Sequence, residues 1–357
     1  PDLLERSDKM IEVAQDKKSP IDEGSNHKSS SKAVDADIDP TCPVRAPTSY
    51  VEGMVLDLKV DWADKDVCSA EERTLLTITK TFPVTTSPAM EVTWQSSSGE
   101  IQTGVLKFFD RRVSEKVRRG CRSPAYGPGI EACLQKFLQS SQAPRFSQPG
   151  IIQCLNGLID KRDAVPLNVP THTADTWQEA ARTEVRMQID MLQQWQNEIR
   201  VYDQLKSLQG TCVPVFYGST SFHIDVPAGA DPNFFQIGGI LIQRINGPSF
   251  QDVLDGKASP LDLDWHLVCK RASDAIAKIN ALGIAHGSNH FRNVVVESST
   301  MQANIIDFAR SMSVKNFGDD EARFRNYMRD GNEARSYSMD WLPRTLTRCS
   351  GMNPKTV

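Results

Sequence analysis

The chain has 357 residues, of which 39% are hydrophobic and 24% are charged, and its formal net charge is −4 at pH 7. This composition predicts a soluble globular protein with a sizeable core. The slightly negative charge excludes the basic surface that nucleic-acid binding needs, and no apolar run approaches the roughly 18 to 20 residues of a membrane span. We therefore expect a cytoplasmic protein that binds neither nucleic acid nor membrane, with its eight scattered cysteines reduced.

The N-terminal half of the chain begins with a polar segment and continues with short strands. Residues 1–48 are rich in serine, aspartate and lysine, which predicts a flexible tail. From Tyr50 onwards, β-branched and aromatic runs are separated by turn-forming residues, as in YVEGMVLDLKV, RTLLTITKTF, AMEVTWQ and TGVLKFF. This pattern predicts an antiparallel meander of three or four strands.

From residue 111 onwards, the chain is predicted to alternate helices with strands. A basic and then proline-rich segment, residues 111–176, is interpreted as an insertion that carries two short helices. A long helical pattern with apolar residues at three- and four-residue steps then closes at Gly210. Two strands (VPVFYGSTSF, GGILIQRI), two helices (SFQDVLDG, LDWHLVCKRASDAIAKINALG), the loop HGSNHFRN and a hairpin (NVVVE, QANIIDFA) follow.

This order of elements resembles the protein-kinase superfamily, and most closely its fungal protein-kinase-like group, whose catalytic loop reads roughly H-G-D-x-x-x-R-N. The residues that carry the resemblance are HGSNHFRN at 286–293 and DFA at 307–309, and the resemblance covers about residues 74–340. It implies an α+β, two-lobed protein-kinase-like fold. Residues 49–242 would form an antiparallel N-lobe with a long C helix and the insertion, and residues 243–357 a truncated, mostly helical C-lobe.

The resemblance implies a binding site for ATP. Lys107, in TGVLKFF, takes the position of the strand lysine that contacts the α- and β-phosphates, and Glu198 takes that of the helical glutamate that pairs with it. Glu184 and Glu179 are alternative partners. A lysine in an apolar strand needs a charged partner or a ligand phosphate, unless it lies on the solvated face of a half-exposed strand.

The resemblance also implies a site for Mg²⁺, or Mn²⁺, with Asn293 and Asp307 as the ligands. Such ions prefer hard oxygen donors, which an amide and a carboxylate both supply. The two residues lie on either side of a predicted hairpin, so two adjacent strand ends would present both groups to one ion. Ala309 replaces the glycine of the family's D-F-G motif.

The segment QRING is the implied hinge of the nucleotide site. Backbone groups of Gln243, Arg244 and Ile245 would meet the edge of the adenine. A plain edge strand accounts for the same residues equally well.

The sequence departs from the family pattern in three places. Ser288 stands where the family carries its catalytic aspartate, and a hydroxyl is too weak a base to replace it at pH 7. His290 is considered as a substitute base, whereas His286 is interpreted as a core histidine that organises the loop. The turn PVTTSP at 83–88 has no glycine to bring its backbone close to phosphates, and only fifty residues follow Asp307.

Two functions remain open after these departures, and a third receives less support. The first is a pseudokinase that binds ATP with a divalent metal and contacts a protein partner. The second is an atypical transferase that moves phosphate, AMP or an activated acyl group to a protein or small molecule. The third is an interaction module without nucleotide, which the joint presence of Lys107, Glu198, Asn293 and Asp307 disfavours.

Overall fold

The structure is a computed structural model of the chain, and it describes residues 49–63, 73–84, 86–120, 123, 125–139, 176–224, 226, 232–257, 264–288 and 290–330. The predicted tail (1–48), most of the second half of the insertion (140–175) and residues 331–357 lie outside the described residues. Of the helices within these ranges, none combines the length and the apolar character that crossing a bilayer requires.

Six antiparallel strands form a closed barrel. They are β1 (Val55–Trp62), β2 (Arg73–Thr81), β3 (Ala89–Gln95), β4 (Ile101–Phe109), β5 (Phe216–His223) and β6 (Gln236–Gln243). Their order around the barrel is β1-β2-β3-β4-β6-β5, and β1 closes it by pairing with β5. Buried and exposed residues alternate strictly along β1, as expected for a strand with one face toward a core and the other toward solvent.

The barrel interior is filled with apolar side chains. Alternate residues of β1 and of the central parts of β2 to β4 point inward and are almost completely buried; the inward set includes Leu58, Val60, Leu76, Ile78, Met90, Val92, Leu106 and Phe108. The residues between them, including Lys107, therefore point to the outside of the barrel.

Six helices and four short strands complete the described chain. The helices are α1 (Glu115–Gly120), α2 (Pro128–Gln139), α3 (Thr176–Gln204), α4 (Phe250–Leu254), α5 (Trp265–Ala281) and α6 (Glu321–Asp330). The short strands are β7 (Ile284–Ala285), β8 (Val294–Val296), β9 (Ala303–Ile305) and β10 (Met312–Ser313), and they form the antiparallel pairs β8–β9 and β7–β10. Short 3₁₀ turns cover Lys206–Leu208, Pro232–Phe235, Phe291–Asn293 and Val314–Phe317.

Helix α3 packs closely on the outer face of the barrel because Gly238 of β6 makes room for it. Trp195 of α3 donates its Nε1–H to the carbonyl oxygen of Gly239 at 2.8 Å. A Cβ at Gly238 would lie 2.1 Å from the same indole ring, so no larger residue fits there without displacing the helix. This packing places the C-terminal half of α3 in one core with α5 and the β8–β9 hairpin.

The predicted two-lobed protein-kinase-like fold is wrong. In place of an antiparallel N-lobe with a long C helix and a separate helical C-lobe, the six strands close into a barrel. The described residues of Arg45–Val357 belong to one compact unit. The physical reason is the pairing of β1 with β5. Because residues Lys59–Trp62 pair with Gly218–Ser221, the sheet has no open edge. The division at residues 242 and 243 stays a prediction.

Candidate functional site

Lys107 lies on the outer face of β4, directed toward α3. It stands opposite Ala89 of β3 and Ile240 of β6, while its neighbours Leu106 and Phe108 point into the barrel. Only 13% of its side chain is exposed. An ammonium group in such a place needs charged partners, because leaving it buried and unpaired would cost several kcal/mol.

Two carboxylates supply these partners. Lys107 Nζ lies 2.7 Å from Glu198 Oε2 on α3 and 2.5 Å from Asp307 Oδ1 in the turn after β9. Burial alone would lower the pKa of Lys107, but the negative charges of Asp307 and Glu198 raise it above its ordinary value. Lys107 is therefore a cation at neutral pH and connects the barrel, α3 and the Asp307 turn.

The two carboxylates differ in exposure and in pKa. Glu198 is 1% exposed, and burial raises its pKa although Lys107 opposes this effect. Its second oxygen accepts the backbone N–H of Phe308 at 3.2 Å. Asp307 is 39% exposed; burial would raise its pKa, but Lys107 outweighs this effect and holds the pKa below its ordinary value. Asp307 is thus the carboxylate that presents negative charge toward solvent.

Asn197, the residue before Glu198, holds the turn that carries Asp307. Its Nδ2 lies 3.4, 3.1 and 2.9 Å from the carbonyl oxygens of Phe308, Ala309 and Ser311. Asp307 has a φ of 68°, a left-handed conformation that non-glycine residues adopt only when their surroundings enforce it. The sequence did not single out Asn197; the available signal was an asparagine, a weak helix former, in the middle of a helix.

Asn293 and Asp307 lie at the same end of the β8–β9 hairpin. The N–H of Ile306 donates to the carbonyl oxygen of Asn293 at 3.0 Å, which extends the β8–β9 register by one pair. Asn293 Nδ2 donates to the carbonyl oxygen of Ser288 at 2.8 Å and lies 3.3 Å from its hydroxyl. Among the described residues, none donates a hydrogen bond to Asn293 Oδ1 or to Asp307 Oδ2, so both oxygens remain available as ligands.

These two oxygens are of the hard type that Mg²⁺ prefers. The described residues contain no group of three or more histidine, cysteine, aspartate or glutamate side chains that could hold a metal on their own. Mg²⁺ usually takes one or two carboxylates and completes its shell with water and substrate phosphates. The donor set therefore suits a metal–phosphate complex better than a metal held by protein groups alone.

The two histidines of the loop 286–293 occupy different environments. His286 is buried, its Nε2 lies 2.9 Å from the carbonyl oxygen of Ile306, and burial lowers its pKa. It links the loop to the end of β9. His290 is exposed; partial burial of its ring, then the positive charges of Arg292 and Lys116, lower its pKa. Both imidazoles are therefore neutral at pH 7.

The loop 286–293 requires glycine at its second position. Gly287 has a φ of 71°, and a Cβ there would lie 2.5 Å from the carbonyl oxygen of Arg310. Ser288 follows, with its carbonyl and hydroxyl oxygens both toward Asn293 Nδ2. The loop thus uses Ser288 to orient a predicted metal ligand.

The predicted hinge residues are engaged with other parts of the protein. Gln243 exchanges hydrogen bonds with Val215, through its N–H at 2.8 Å and its Oε1 at 3.1 Å. Arg244 donates from Nε to Glu91 Oε2 at 2.7 Å and from Nη1 to the carbonyl oxygen of Ile245. One of the backbone groups predicted to meet adenine, the carbonyl of Ile245, therefore already accepts a hydrogen bond.

Glu184, the alternative partner of Lys107, lies at the centre of a second buried ion cluster. Its carboxylate accepts from Arg111 at 2.6 Å and from both terminal nitrogens of Arg118, at 2.7 and 2.8 Å. Arg111 also donates to Glu131 at 2.7 Å. This cluster joins α1, α2 and α3. The side chain of Glu179, the other alternative, lies outside the described residues.

The glycine-free turn at 83–88 borders a cleft of about 660 Å³. The hydroxyl of Ser114 donates to the carbonyl oxygen of Thr86, and Ser87 is buried. Thr85 lies outside the described residues. The cleft lies at the end of the barrel and contains no member of the Lys107–Glu198–Asp307 cluster, so we do not place the nucleotide site there.

Comparison with known proteins does not assign the chain to a family. No protein-family model matches the chain, and no curated protein matches it. Its function is therefore inferred from the geometry of the site formed by Lys107, Glu198, Asn293 and Asp307.

Proposed function

We propose that the protein binds the phosphate chain of ATP together with Mg²⁺ or Mn²⁺ at Lys107, Glu198, Asn293 and Asp307. The observation that carries this proposal is one ammonium held between two carboxylates, 2.7 and 2.5 Å away, of which one is buried and the other is open to solvent. The three groups together carry a net charge of −1. A divalent cation would reverse this sign and so favour the binding of phosphates.

Each residue has a distinct role in this proposal. Glu198, which is buried, fixes the position of Lys107, and the ammonium contacts phosphate oxygens as a point charge. Asp307 Oδ2 and Asn293 Oδ1 hold the metal, which when bound neutralises phosphate charge. Arg292 is close enough to Asp307 to lower its pKa, so the solvent side of the site also carries positive charge.

Binding is proposed rather than rapid phosphoryl transfer because Ser288 cannot act as a general base. General-base assistance typically contributes about 10² to 10⁴ in rate, and a serine hydroxyl supplies none of it at neutral pH. Ser288 is also engaged with Asn293 Nδ2, 2.8 Å from its carbonyl oxygen. The proposed role is thus that of a protein that binds a nucleotide and a protein or small-molecule partner.

A thermal-shift panel tests the proposal. Wild-type protein is melted alone, with ATP and EDTA, with Mg²⁺ or Mn²⁺, and with ATP plus either metal. We expect a clear rise in melting temperature only when ATP and metal are both present, because binding to the folded state stabilises it by mass action. Asp307→Ala should lose this rise, whereas Arg73→Ala, which removes an exposed ion pair with Asp57, should keep it. An equal rise in Asp307→Ala and wild type would contradict the proposal.

A second candidate function is ATP-dependent transfer, favoured by the exposed, neutral imidazole of His290 on the loop 286–293. His290 would accept the proton of an incoming nucleophile in place of the absent aspartate. Incubation with ATP and Mg²⁺, followed by mass spectrometry of the protein, distinguishes attached phosphate, attached AMP and no modification. A modification that persists in His290→Ala would remove His290 from this role.

A further inference from the structure

An ion pair crosses the outer face of the barrel beside the proposed phosphate site. Arg244 follows the last residue of β6, and Glu91 lies on β3, while β4 runs between these two strands. Their 2.7 Å contact therefore passes over β4. The side chains are each 24% exposed, so the pair is partly sheltered from solvent.

The register of the strands places this ion pair next to Lys107. Ala89 is opposite Lys107, and the next pair on the same face is Glu91 opposite Val105. Residues two apart on a strand are separated by about 7 Å, so Val105 lies roughly this distance from Lys107 along the outer face of β4. A nucleoside attached to a phosphate chain at Lys107 and extending along β4 toward Val105 would therefore meet the Arg244–Glu91 pair.

Val105 is the apolar surface that a nucleobase would use at this position. It is half-buried and packs against the core that α3 shares with α5 and the β8–β9 hairpin. In the other direction along the outer face of β4, the residue two positions beyond Lys107 is Phe109, which is 1% exposed. A base finds no exposed apolar surface there and is left with the Val105 side.

On the Val105 side of Lys107, Arg244 already contacts the groups that could otherwise bind a base. Its Nη1 donates to the carbonyl oxygen of Ile245, and its guanidinium carbon lies 6.0 Å from the ring centre of Phe82. Its Nε is held by Glu91. A base that bound flat on Val105 would have to displace all three contacts and separate a charged pair.

We infer that Arg244 and Glu91 set the ligand preference of this site: their ion pair covers Val105, so the ligand is held by its phosphate chain and metal with little contribution from the base. This inference rests on the proposed function. The substrate class that follows is a metal-bound polyphosphate chain, of which ATP, GTP and inorganic tripolyphosphate are equivalent members.

Calorimetric titration with MgATP, MgGTP and magnesium tripolyphosphate tests the inference. For wild type we expect Kd values within about threefold of one another, which corresponds to less than 1 kcal/mol. For Arg244→Ala we expect ATP to tighten about tenfold relative to tripolyphosphate, because base stacking on an uncovered surface is worth this order of free energy. Loss of the Arg244 charge should weaken the binding of ATP and tripolyphosphate to a similar extent. The ratio of their two Kd values therefore isolates the contribution of the base.

Two further variants keep the test decisive. Glu91→Gln removes the carboxylate partner of Arg244 without cutting into the fold, and a smaller shift of the ATP-to-tripolyphosphate ratio in the same direction is expected. Arg73→Ala, an exposed strand arginine paired with Asp57 at 2.8 Å, should leave the ratio unchanged.

The outcomes separate this inference from the proposed function. If wild type binds MgATP more than tenfold tighter than magnesium tripolyphosphate, or if neither Arg244→Ala nor Glu91→Gln changes the ratio, the inference is overturned while nucleotide binding stands. If no metal–phosphate ligand binds wild type or Arg244→Ala, the proposed function is overturned and the ligand preference with it.

Discussion

Helix α3 contributes one glutamate to each of two buried ion clusters that differ in composition. Glu184 and Glu198 lie about 21 Å apart along the helix, and their spacing of nearly four turns puts both on one face. Around Glu184, two arginines and a second glutamate balance to zero charge. Around Glu198, one lysine serves two carboxylates, and Asp307 remains open to solvent.

The difference indicates which cluster is structural and which can bind a ligand. The carboxylate of Glu184 is saturated: both of its oxygens receive arginine nitrogens at 2.6 to 2.8 Å, and Glu184, Arg111 and Arg118 are all buried. The Lys107 cluster has unequal charge, and among the described residues no group donates a hydrogen bond to Asn293 Oδ1 or Asp307 Oδ2. A charge-balanced cluster whose central carboxylate accepts hydrogen bonds on both oxygens connects elements, whereas an unbalanced cluster beside solvent can accept an ion.

The largest effect on stability is expected when the Glu184 cluster loses its central carboxylate. Glu184→Ala removes one of the two carboxylate partners of Arg111, and it removes the carboxylate that both terminal nitrogens of Arg118 contact. This loss should lower the free energy of unfolding by about 3 to 5 kcal/mol. Urea denaturation measures this loss. Binding of MgATP by the remaining folded protein should be unchanged. A loss below about 1 kcal/mol would contradict the structural role of Glu184.

A smaller effect on stability, but a specific effect on ligand binding, is expected for Asn197→Ala. Three carbonyl groups of the Asp307 turn lose their common donor, which should lower the free energy of unfolding by about 1 to 3 kcal/mol. Because Asp307 is then less well positioned, the affinity for ATP in the presence of Mg²⁺ should also fall. Gln194→Ala, which removes a single hydrogen bond to Asp190 on the same helix, is the matched control. Equal losses in both variants would assign Asn197 no positioning role.

The pH dependence of stability should report the lowered pKa of Asp307. A carboxyl whose folded-state pKa lies below its ordinary value stabilises the fold above that ordinary value, about 3.9, and loses this contribution as the pH falls through the folded-state pKa. The raised pKa of Lys107 acts in the opposite sense and is lost only in strong base. The difference in unfolding free energy between wild type and Asp307→Asn should therefore be constant from pH 5 to 8, as rough limits, and shrink in acid. A difference that grows in acid would contradict the assigned charge state.

The smallest effect is expected at an exposed ion pair. Arg73 and Asp57 are 63% and 52% exposed, so Arg73→Ala should change the free energy of unfolding by no more than about 0.5 kcal/mol. Ligand binding should be unaffected. A large effect here would show that surface charge, rather than the buried clusters, governs stability.

The sequence located the members of the site better than it located the fold. Lys107, Glu198 and Asp307 were selected because they match positions of the protein-kinase motifs, and the structure places both carboxylates within 2.7 Å of the Lys107 ammonium. Barrel closure was not foreseen, because the register of β1 with β5 joins residues about 160 positions apart and leaves no local pattern. The contact between Arg244 and Glu91 was not predicted for the same reason, because the two residues are 153 positions apart.

The central claim is that Asp307 holds a metal that is bound together with the phosphate chain of a nucleotide. Isothermal titration of ATP into wild type and Asp307→Ala, each with Mg²⁺ and with EDTA, tests it most directly. We expect measurable binding only for wild type with Mg²⁺. Binding of equal affinity in all four titrations, or in neither protein, would contradict the claim.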